Sequence, residues 1–268
     1  MTAPLRELVV GPLRAMRRAI FWWSVGLASL VGVTVAFWPA FQGSSGISAA
    51  IDQLPAGLVQ AFGLENFGTP AGFLRGNLYD FVVPLLLAAA TVVLVNGQTA
   101  GEEASGRLEL YLAQPVDRRM VFLGRAIAAL VALAVITAAI TAVQVGADAV
   151  VGLRIEFGYL LSTIVLCALL AVFHGSLALA VAGLRGRPSL VMGIGFAVAL
   201  AGCLVVALFP LSPMLAPWEH LSPWDWAFGG GPLEHVTETW RYLALAIPSI
   251  VLAGIGVISV VRRDVAAA

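Results

Sequence analysis

The sequence has few charged residues for its length, and this shortage excludes an ordinary soluble domain. Of its 268 residues, 11% are charged and 60% are hydrophobic, and the mean hydropathy is +0.95. Soluble domains carry about 25% charged residues. The 15 basic and 15 acidic residues cancel, so the chain lacks both the basic field that suits nucleic acid and an acidic tail. The composition predicts a membrane protein with no nucleic-acid partner.

Lysine, cysteine and histidine are absent or rare, and each shortage narrows the chemistry further. Every basic residue is arginine, so the phosphate loop GxxxxGK[ST] is absent and the chain cannot hold ATP in the usual way. The two cysteines lie inside apolar runs, which favours small buried side chains over a disulfide. No HExxH or Cys/His metal spacing appears among the three histidines, His174, His220 and His235. We expect no catalytic residue, cofactor or metal in this chain.

Six apolar segments are long enough to cross a bilayer, whose hydrocarbon core of about 30 Å requires about 20 helical residues. The sequence therefore predicts an all-α polytopic membrane protein that forms a single transmembrane domain over residues 1–268. The expected spans cover residues 19–38, 79–97, 122–146, 158–183, 189–211 and 242–261.

The arginines indicate how these spans are oriented. Twelve of the 15 basic residues lie before the first span, between the second and third, between the fourth and fifth, or after the sixth. The positive-inside rule assigns these segments to the cytoplasm, and an even number of spans then places both termini there. Arg75, Arg154 and Arg241 are left for the outer side. No cleavable signal peptide is visible, because the first apolar run is long and lacks a small-residue cleavage pattern.

Two long connections lie on the outer side. Residues 39–78 contain short apolar pieces broken by glycine and proline, which predict short surface helices or partial re-entry into the membrane. Residues 212–240 contain four tryptophans, Trp218, Trp224, Trp226 and Trp240. Since tryptophan favours the membrane–water boundary, we interpret this segment first as an anchoring belt. The alternative is an outer gate or a lining of an exit path.

The amino-terminal residues 1–18 form an amphipathic pattern. Leucine, valine and methionine side chains share one side of a helical wheel and arginines share the other, which suits a helix lying along the inner leaflet. Gly11 and Pro12 are expected to bend or split this helix. The segment is either a positive flank that fixes topology or an elbow helix that contacts a cytoplasmic partner.

The cytoplasmic loop of residues 98–121 concentrates charge in a chain that otherwise has little. Leu108, Tyr111 and Leu112 recur at helical spacing, which predicts a short helix with an apolar face. Pro115 is expected to end that helix, and Asp117 is placed as the N-cap of the helix that becomes the third span. The loop is either a solvated turn or a short helix that docks into a groove of a soluble motor and receives force from it.

The string EExxGxLELxLxxPVxRR, residues 102–119, resembles the cytoplasmic loop of ABC-2-type transporter permeases. Residues 54–73 resemble the outer loop of bacterial members, and the six-span layout extends the resemblance over the whole chain. By the family's pattern, residues 1–18 would be the elbow helix. The coupling element would consist of Glu102, Glu103, Gly106, Leu108, Glu109, Leu112, Pro115, Arg118 and Arg119.

The resemblance also implies partners and a location. A separate ATP-binding cassette subunit would supply the ATP and Mg²⁺ site, and a second permease copy or a sister permease would complete the pathway within the membrane lipid. The chain would lie in a bacterial plasma membrane and export a drug, antibiotic, lipid or glycolipid. A stand-alone secondary carrier is the alternative.

A third hypothesis is an enzyme that acts on lipid through His174 or the outer His/Glu pairs. His174 lies in the fourth span, where a hydrogen bond to a neighbouring helix or to the backbone is the favoured interpretation. A proton relay would need acidic partners at membrane depth, and the sequence offers few.

Overall fold

A computed structural model of the protein describes residues 5–42, 53–55, 59, 66–108 and 117–262. Within these residues the regular structure is helical and no strand occurs. Six of the helical segments are long and apolar enough to cross a membrane. The predicted all-α polytopic fold is therefore confirmed.

The helices of the described residues are numbered here in chain order. A π-helical turn, Arg75–Tyr79, joins α3 to α4, and two 3₁₀ turns, Phe209–Leu211 and Ala216–Leu221, follow α8. The first span consists of α1 and α2, and the second runs from α3 through α5. The other four spans are the single helices α6, α7, α8 and α10. The bounds are α1 Leu5–Ala36, α2 Trp38–Gln42, α3 Pro70–Leu74, α4 Val82–Gln98, α5 Ala100–Ala104, α6 Arg118–Val151, α7 Phe157–Arg185, α8 Pro188–Leu208, α9 Pro223–Phe228 and α10 Thr239–Ser259.

The second and fourth spans form the centre of the bundle. In their most apolar stretches 61% and 67% of the residues are buried, against 17% to 33% in the other four spans. The central helix α7 packs against α4, α6, α8 and α10, and α1 packs along α6. Small residues allow the closest approach: a Cβ added at Gly256 of α10 would lie 2.6 Å from the Leu179 carbonyl oxygen of α7.

Local capping explains where α6 begins and where α6 and α7 end. The Asp117 carboxylate accepts a hydrogen bond from the Arg119 backbone N–H at 2.8 Å, so the predicted N-cap of α6 is confirmed. Helices α6 and α7 end at Gly152 and Gly186, both in the left-handed conformation that favours glycine.

The amino-terminal segment and the first span form one uninterrupted helix, α1, with Pro12 inside it. The break considered at Gly11 and Pro12 is not observed. Proline removes one backbone hydrogen bond, but Leu8 and Met16, four residues on either side, are both buried, and α1 packs along α6. This packing outweighs the local preference of proline.

The outer tryptophans have different surroundings. Trp218 is 57% exposed, as expected of a side chain at the membrane surface, whereas Trp224 is only 1% exposed. Trp224 belongs to the short helix α9, which packs against α7, α8 and α10. The outer segment 212–240 is thus partly inserted into the bundle.

Candidate functional site

The loop between the second and third spans folds back onto the bundle as soon as α4 ends. Thr99 leaves the helical conformation (φ −119°, ψ −96°), and its hydroxyl donates to the Val95 carbonyl oxygen at 2.7 Å. The short helix α5 follows, and Gly106 then adopts a positive φ of 70°, which a residue with a side chain rarely adopts. These two changes of direction keep residues 98–108 close to the spans.

The two acidic residues of this loop are buried. Glu102 of α5 is 7% exposed and forms an ion pair with Arg125 of α6, which is 3% exposed. Glu103 is also buried. Removing one partner of a buried ion pair leaves an uncompensated charge, which destabilises a protein by about 3–5 kcal/mol. The pair therefore fixes α5 firmly to the third span.

Arg125 is a site residue that sequence reasoning missed, because it was counted only among the cytoplasmic positive charges. The available signal was its position: it lies inside the helix that Asp117 caps and inside an apolar run. An ionisable residue at such a position requires a partner. The sequence offered several carboxylates and did not indicate which one would be adjacent.

The apolar side of the loop packs on its own bundle. Leu108 is buried in a cluster with Leu8, Phe122, Ala182 and Val260, which come from α1, α6, α7 and the end of α10. Leu108 is thus not available to another protein in this conformation.

Few of the described residues of the loop are exposed. Ala104, Ser105 and Arg107 are exposed, as are Arg119 and Met120 at the start of α6, while Arg118 is half-buried. The Arg107 guanidinium donates to the Ser105 hydroxyl at 3.2 Å. Three further residues of the predicted coupling element, Glu109, Leu112 and Pro115, lie outside the described residues.

The amino-terminal part of α1 packs in the same cluster as Leu108 of the loop. Leu8, Pro12 and Met16 are buried against the bundle, whereas the arginines of this segment are exposed. The helix thus has the two predicted faces, but these apolar residues pack on the bundle and not on the inner leaflet. A Cβ added at Gly124 of α6 would lie 2.7 Å from the Leu8 carbonyl oxygen, so only glycine permits this contact. We call the meeting point of Leu8, Glu102, Leu108, Gly124 and Arg125 the cytoplasmic junction, because the positive-inside rule predicts that this end faces the cytoplasm.

Arginines also form contacts at the opposite end of the bundle, which the positive-inside rule predicts to be the outer end. Arg75, at the start of the second span, donates to Glu234 at 2.7 Å and lies 3.4 Å from Asp80. Arg241, at the start of the sixth span, donates to the Asp225 carbonyl oxygen at 2.7 Å. Two of the three outer arginines therefore hold segment 212–240 against the bundle.

One group of outer side chains resembles a metal site in its composition. Among the described residues, ligand atoms of Glu219, His220 and Asp225 lie within 4.8 Å of one another. His220 Nδ1 is 3.1 Å from the Asp225 carboxylate, and this hydrogen bond and charge raise the pKa of His220. Glu234, which precedes His235, pairs with Arg75. These side chains have partners in one another, and we assign no ion to them.

His174 is fully buried near the middle of α7. Its Nδ1 lies 2.8 Å from the Leu170 carbonyl oxygen of the same helix, as the favoured interpretation of a backbone hydrogen bond predicted. Its ring meets the Trp224 ring edge-on at 5.4 Å between centroids. No acidic side chain of the described residues hydrogen-bonds to His174, and the arrangement offers no proton relay.

Comparison with known families tests the resemblance seen in residues 102–119. No curated protein matches the chain. The family model described as ABC-2 family transporter protein matches residues 13–258, which includes nearly all of the six-span bundle and the cytoplasmic junction apart from Leu8. A match over this length confirms the resemblance, and the chain belongs to the ABC-2 transporter family.

Proposed function

We propose that this chain is the permease subunit of an exporter and that a separate subunit hydrolyses ATP to drive it. The ABC-2 family consists of transmembrane transport components, and the chain is one of them. The proposal adds the export direction, a hydrophobic or amphipathic cargo, and a location in a bacterial plasma membrane with both termini in the cytoplasm. The bound ATP and Mg²⁺ would belong to the partner subunit.

The observation that carries the proposal is the buried ion pair of the cytoplasmic junction. Because Glu102 and Arg125 hold α5 on α6, a force applied to the exposed loop residues Ser105 and Arg107 would act directly on the third span. The amino-terminal helix and the end of α10 contact the same cluster. This arrangement supports transmission of movement from a soluble ATPase to several spans together.

The proposed coupling element divides into two parts. Glu102, Glu103 and Leu108 are buried and support the loop, whereas Arg107 and Arg119 are exposed and available to a partner. Gly106 permits the turn between these parts. Arg118, Glu109, Leu112 and Pro115 complete the proposed element.

The spans with the most exposed apolar surface support a second permease subunit and surrounding lipid. Most residues in the apolar stretches of α1, α8 and α10 are not buried. In a membrane such faces contact lipid or another helix. We propose a homodimer or a pair with a sister permease, with lipid around the remaining faces.

Two adjoining cavities support a cargo with an apolar part. A cavity of about 310 Å³ between the second, third, fourth and sixth spans shares Leu130, Leu169 and Val172 with one of about 740 Å³ between the third and fourth. Thr137 and Thr141, which line the larger cavity, donate their hydroxyls to carbonyls of their own helix. These hydroxyls are already satisfied, so the walls suit hydrocarbon.

Reversing exposed charge at the loop tests the coupling role. We expect Arg107→Glu with Arg119→Glu to abolish co-purification with the ATPase subunit and most of the coupled ATPase activity. Arg185→Glu with Arg187→Glu is the matched control, since both arginines are exposed on the same side. Because charge reversal can invert topology, a reporter fused at the carboxyl terminus is read in all variants.

The outcomes separate the hypotheses. A loop variant that keeps its topology, its complex and its transport would contradict the proposal. Transport by the purified chain alone, without ATP and sensitive to ionophores, would instead support a secondary carrier.

A further inference from the structure

The short outer helix α9 is held by hydrogen bonds to two neighbouring spans. At its start the Ser222 hydroxyl donates to the Gly202 carbonyl oxygen of α8 at 2.8 Å and accepts from the Trp224 backbone N–H at 3.1 Å. Farther along, Arg241 of α10 donates to the Asp225 carbonyl oxygen at 2.7 Å. These bonds position α9 so that the Trp224 side chain reaches α7.

Glycine on α8 provides the space for the indole of Trp224. A Cβ added at Gly202 would lie 3.2 Å from Trp224 Cε3 and 3.4 Å from the Ser222 hydroxyl. On its other side the indole meets His174 edge-on. Both side chains are essentially inaccessible to solvent, so apolar packing favours this closed arrangement.

Two nitrogen atoms, one in His174 and one in Trp224, make the closed arrangement less favourable. A carbonyl oxygen only accepts, so the bond to Leu170 places the proton of the neutral His174 ring on Nδ1 and leaves Nε2 as an acceptor. Among the described residues, neither His174 Nε2 nor Trp224 Nε1 has a hydrogen-bond partner. A buried donor or acceptor without a partner is unfavourable relative to the same group in water.

We propose that the contact between Trp224 and His174 is a releasable latch that holds α9 closed against the bundle. Packing stabilises the closed state, and hydration of two nitrogen atoms stabilises an open one. Opposing terms of this kind reduce the free-energy difference between the closed and open arrangements of a switching element. The assignment of the open state to cargo release rests on the proposed export function.

Two substitutions at Trp224 have opposite expected effects. Trp224→Phe keeps an aromatic ring and removes the unpaired N–H, so it should stabilise the closed state. Trp224→Ala removes the packing and should favour the open state. Hydrogen exchange of the amides of residues 224–229, measured on the full chain in lipid nanodiscs, reports the population of the open state.

We expect exchange to slow by about fivefold in Trp224→Phe and to accelerate by at least about tenfold in Trp224→Ala. Trp218→Phe and Trp218→Ala are the matched controls, because Trp218 is in the same segment and exposed; neither should change exchange at residues 224–229. Trp224→Ala could fail to fold, but Trp224→Phe tests the same latch without a cavity of that size.

Unchanged or faster exchange in Trp224→Phe would overturn the latch. In a complex that retains its ATPase subunit, the same variant should slow export by a similar factor. Slower exchange with unchanged export would show that this opening is not part of release, and would also overturn the proposal. The exchange measurement needs neither ATP nor a partner, so its failure is distinguishable from failure of the coupling experiment.

Discussion

The two ends of the bundle bury polar groups in different ways. At the cytoplasmic junction, the carboxylate of Glu102 meets the guanidinium of Arg125. Farther out, His174 and Trp224 each bury a nitrogen that has no partner among the described residues. A paired buried charge is costly to separate, whereas an unpaired buried polar atom is relieved by separation. Asn96 and Gln98 at the end of α4 also bury an oxygen without a hydrogen-bond partner among the described residues, so the two ends differ in the buried ion pair, and the proposed latch concerns only the contact between His174 and Trp224.

The arginines also have different surroundings at the two ends of the bundle. On the inner side one arginine is buried in the protein and most of the others are exposed. On the outer side Arg75 and Arg241 form hydrogen bonds with segment 212–240. The positive-inside rule predicts that arginine is rare on the outer side, and these bonds give a structural reason for two arginines on the side so predicted.

The largest expected effect comes from breaking the inner pair. Arg125→Met leaves Glu102 buried without a partner and should lower the free energy of unfolding by about 3–5 kcal/mol. Thermal unfolding of the detergent-purified chain measures the loss, with the exposed Arg119→Met as control. Adding Glu102→Leu should restore most of the stability. An Arg125→Met variant as stable as the wild type would show that the Glu102–Arg125 pair does not stabilise the inner end.

A smaller effect is expected where α1 crosses α6. Gly124→Ala places a Cβ 2.7 Å from the Leu8 carbonyl oxygen, and overpacking of this kind destabilises by about 1–3 kcal/mol. Gly146→Ala is the matched control, because it lies on the same helix and a Cβ there would meet nothing within 4 Å. Equal unfolding temperatures for the two variants would show that the junction yields more easily than its geometry indicates.

The outer ion pair should contribute less than the inner one. Arg75 and Glu234 are each about one-fifth exposed, so water screens their attraction. We expect a coupling free energy of about 1 kcal/mol in a double-mutant cycle with Arg75→Gln and Glu234→Gln. A value equal to that of the Glu102–Arg125 pair would mean that both ends are equally rigid.

The sequence predicts the features of this molecule that depend on neighbouring residues. Apolar length predicted the spans, and the position of Asp117 predicted the start of α6. Both signals act through adjacent residues along one helix, and tertiary packing does not change them. The uninterrupted α1 shows the limit, since packing against α6 outweighs the preference of Pro12.

Features that depend on distant residues were not predictable. The spacing around Leu108 indicated an apolar face, but periodicity cannot tell whether that face packs on its own bundle or on a partner. Arg125 required a partner, and only the fold of residues 98–108 identifies Glu102. Trp218 and Trp224 look equivalent in the sequence, yet only Trp224 lies opposite a glycine that leaves room for its ring.

The smallest expected effect concerns the exposed edge of the outer segment. The Asp225 carboxylate accepts a hydrogen bond from His220 and raises its pKa. The protonated ring therefore stabilises the folded segment fully below the unfolded pKa of about 6.5, and the contribution is lost as the pH rises through the higher folded pKa. Protection of residues 219–225 against hydrogen exchange should fall over that range in the wild type and in His235→Gln, but not in His220→Gln. A pH dependence that survives in His220→Gln would show that another group causes the change in protection.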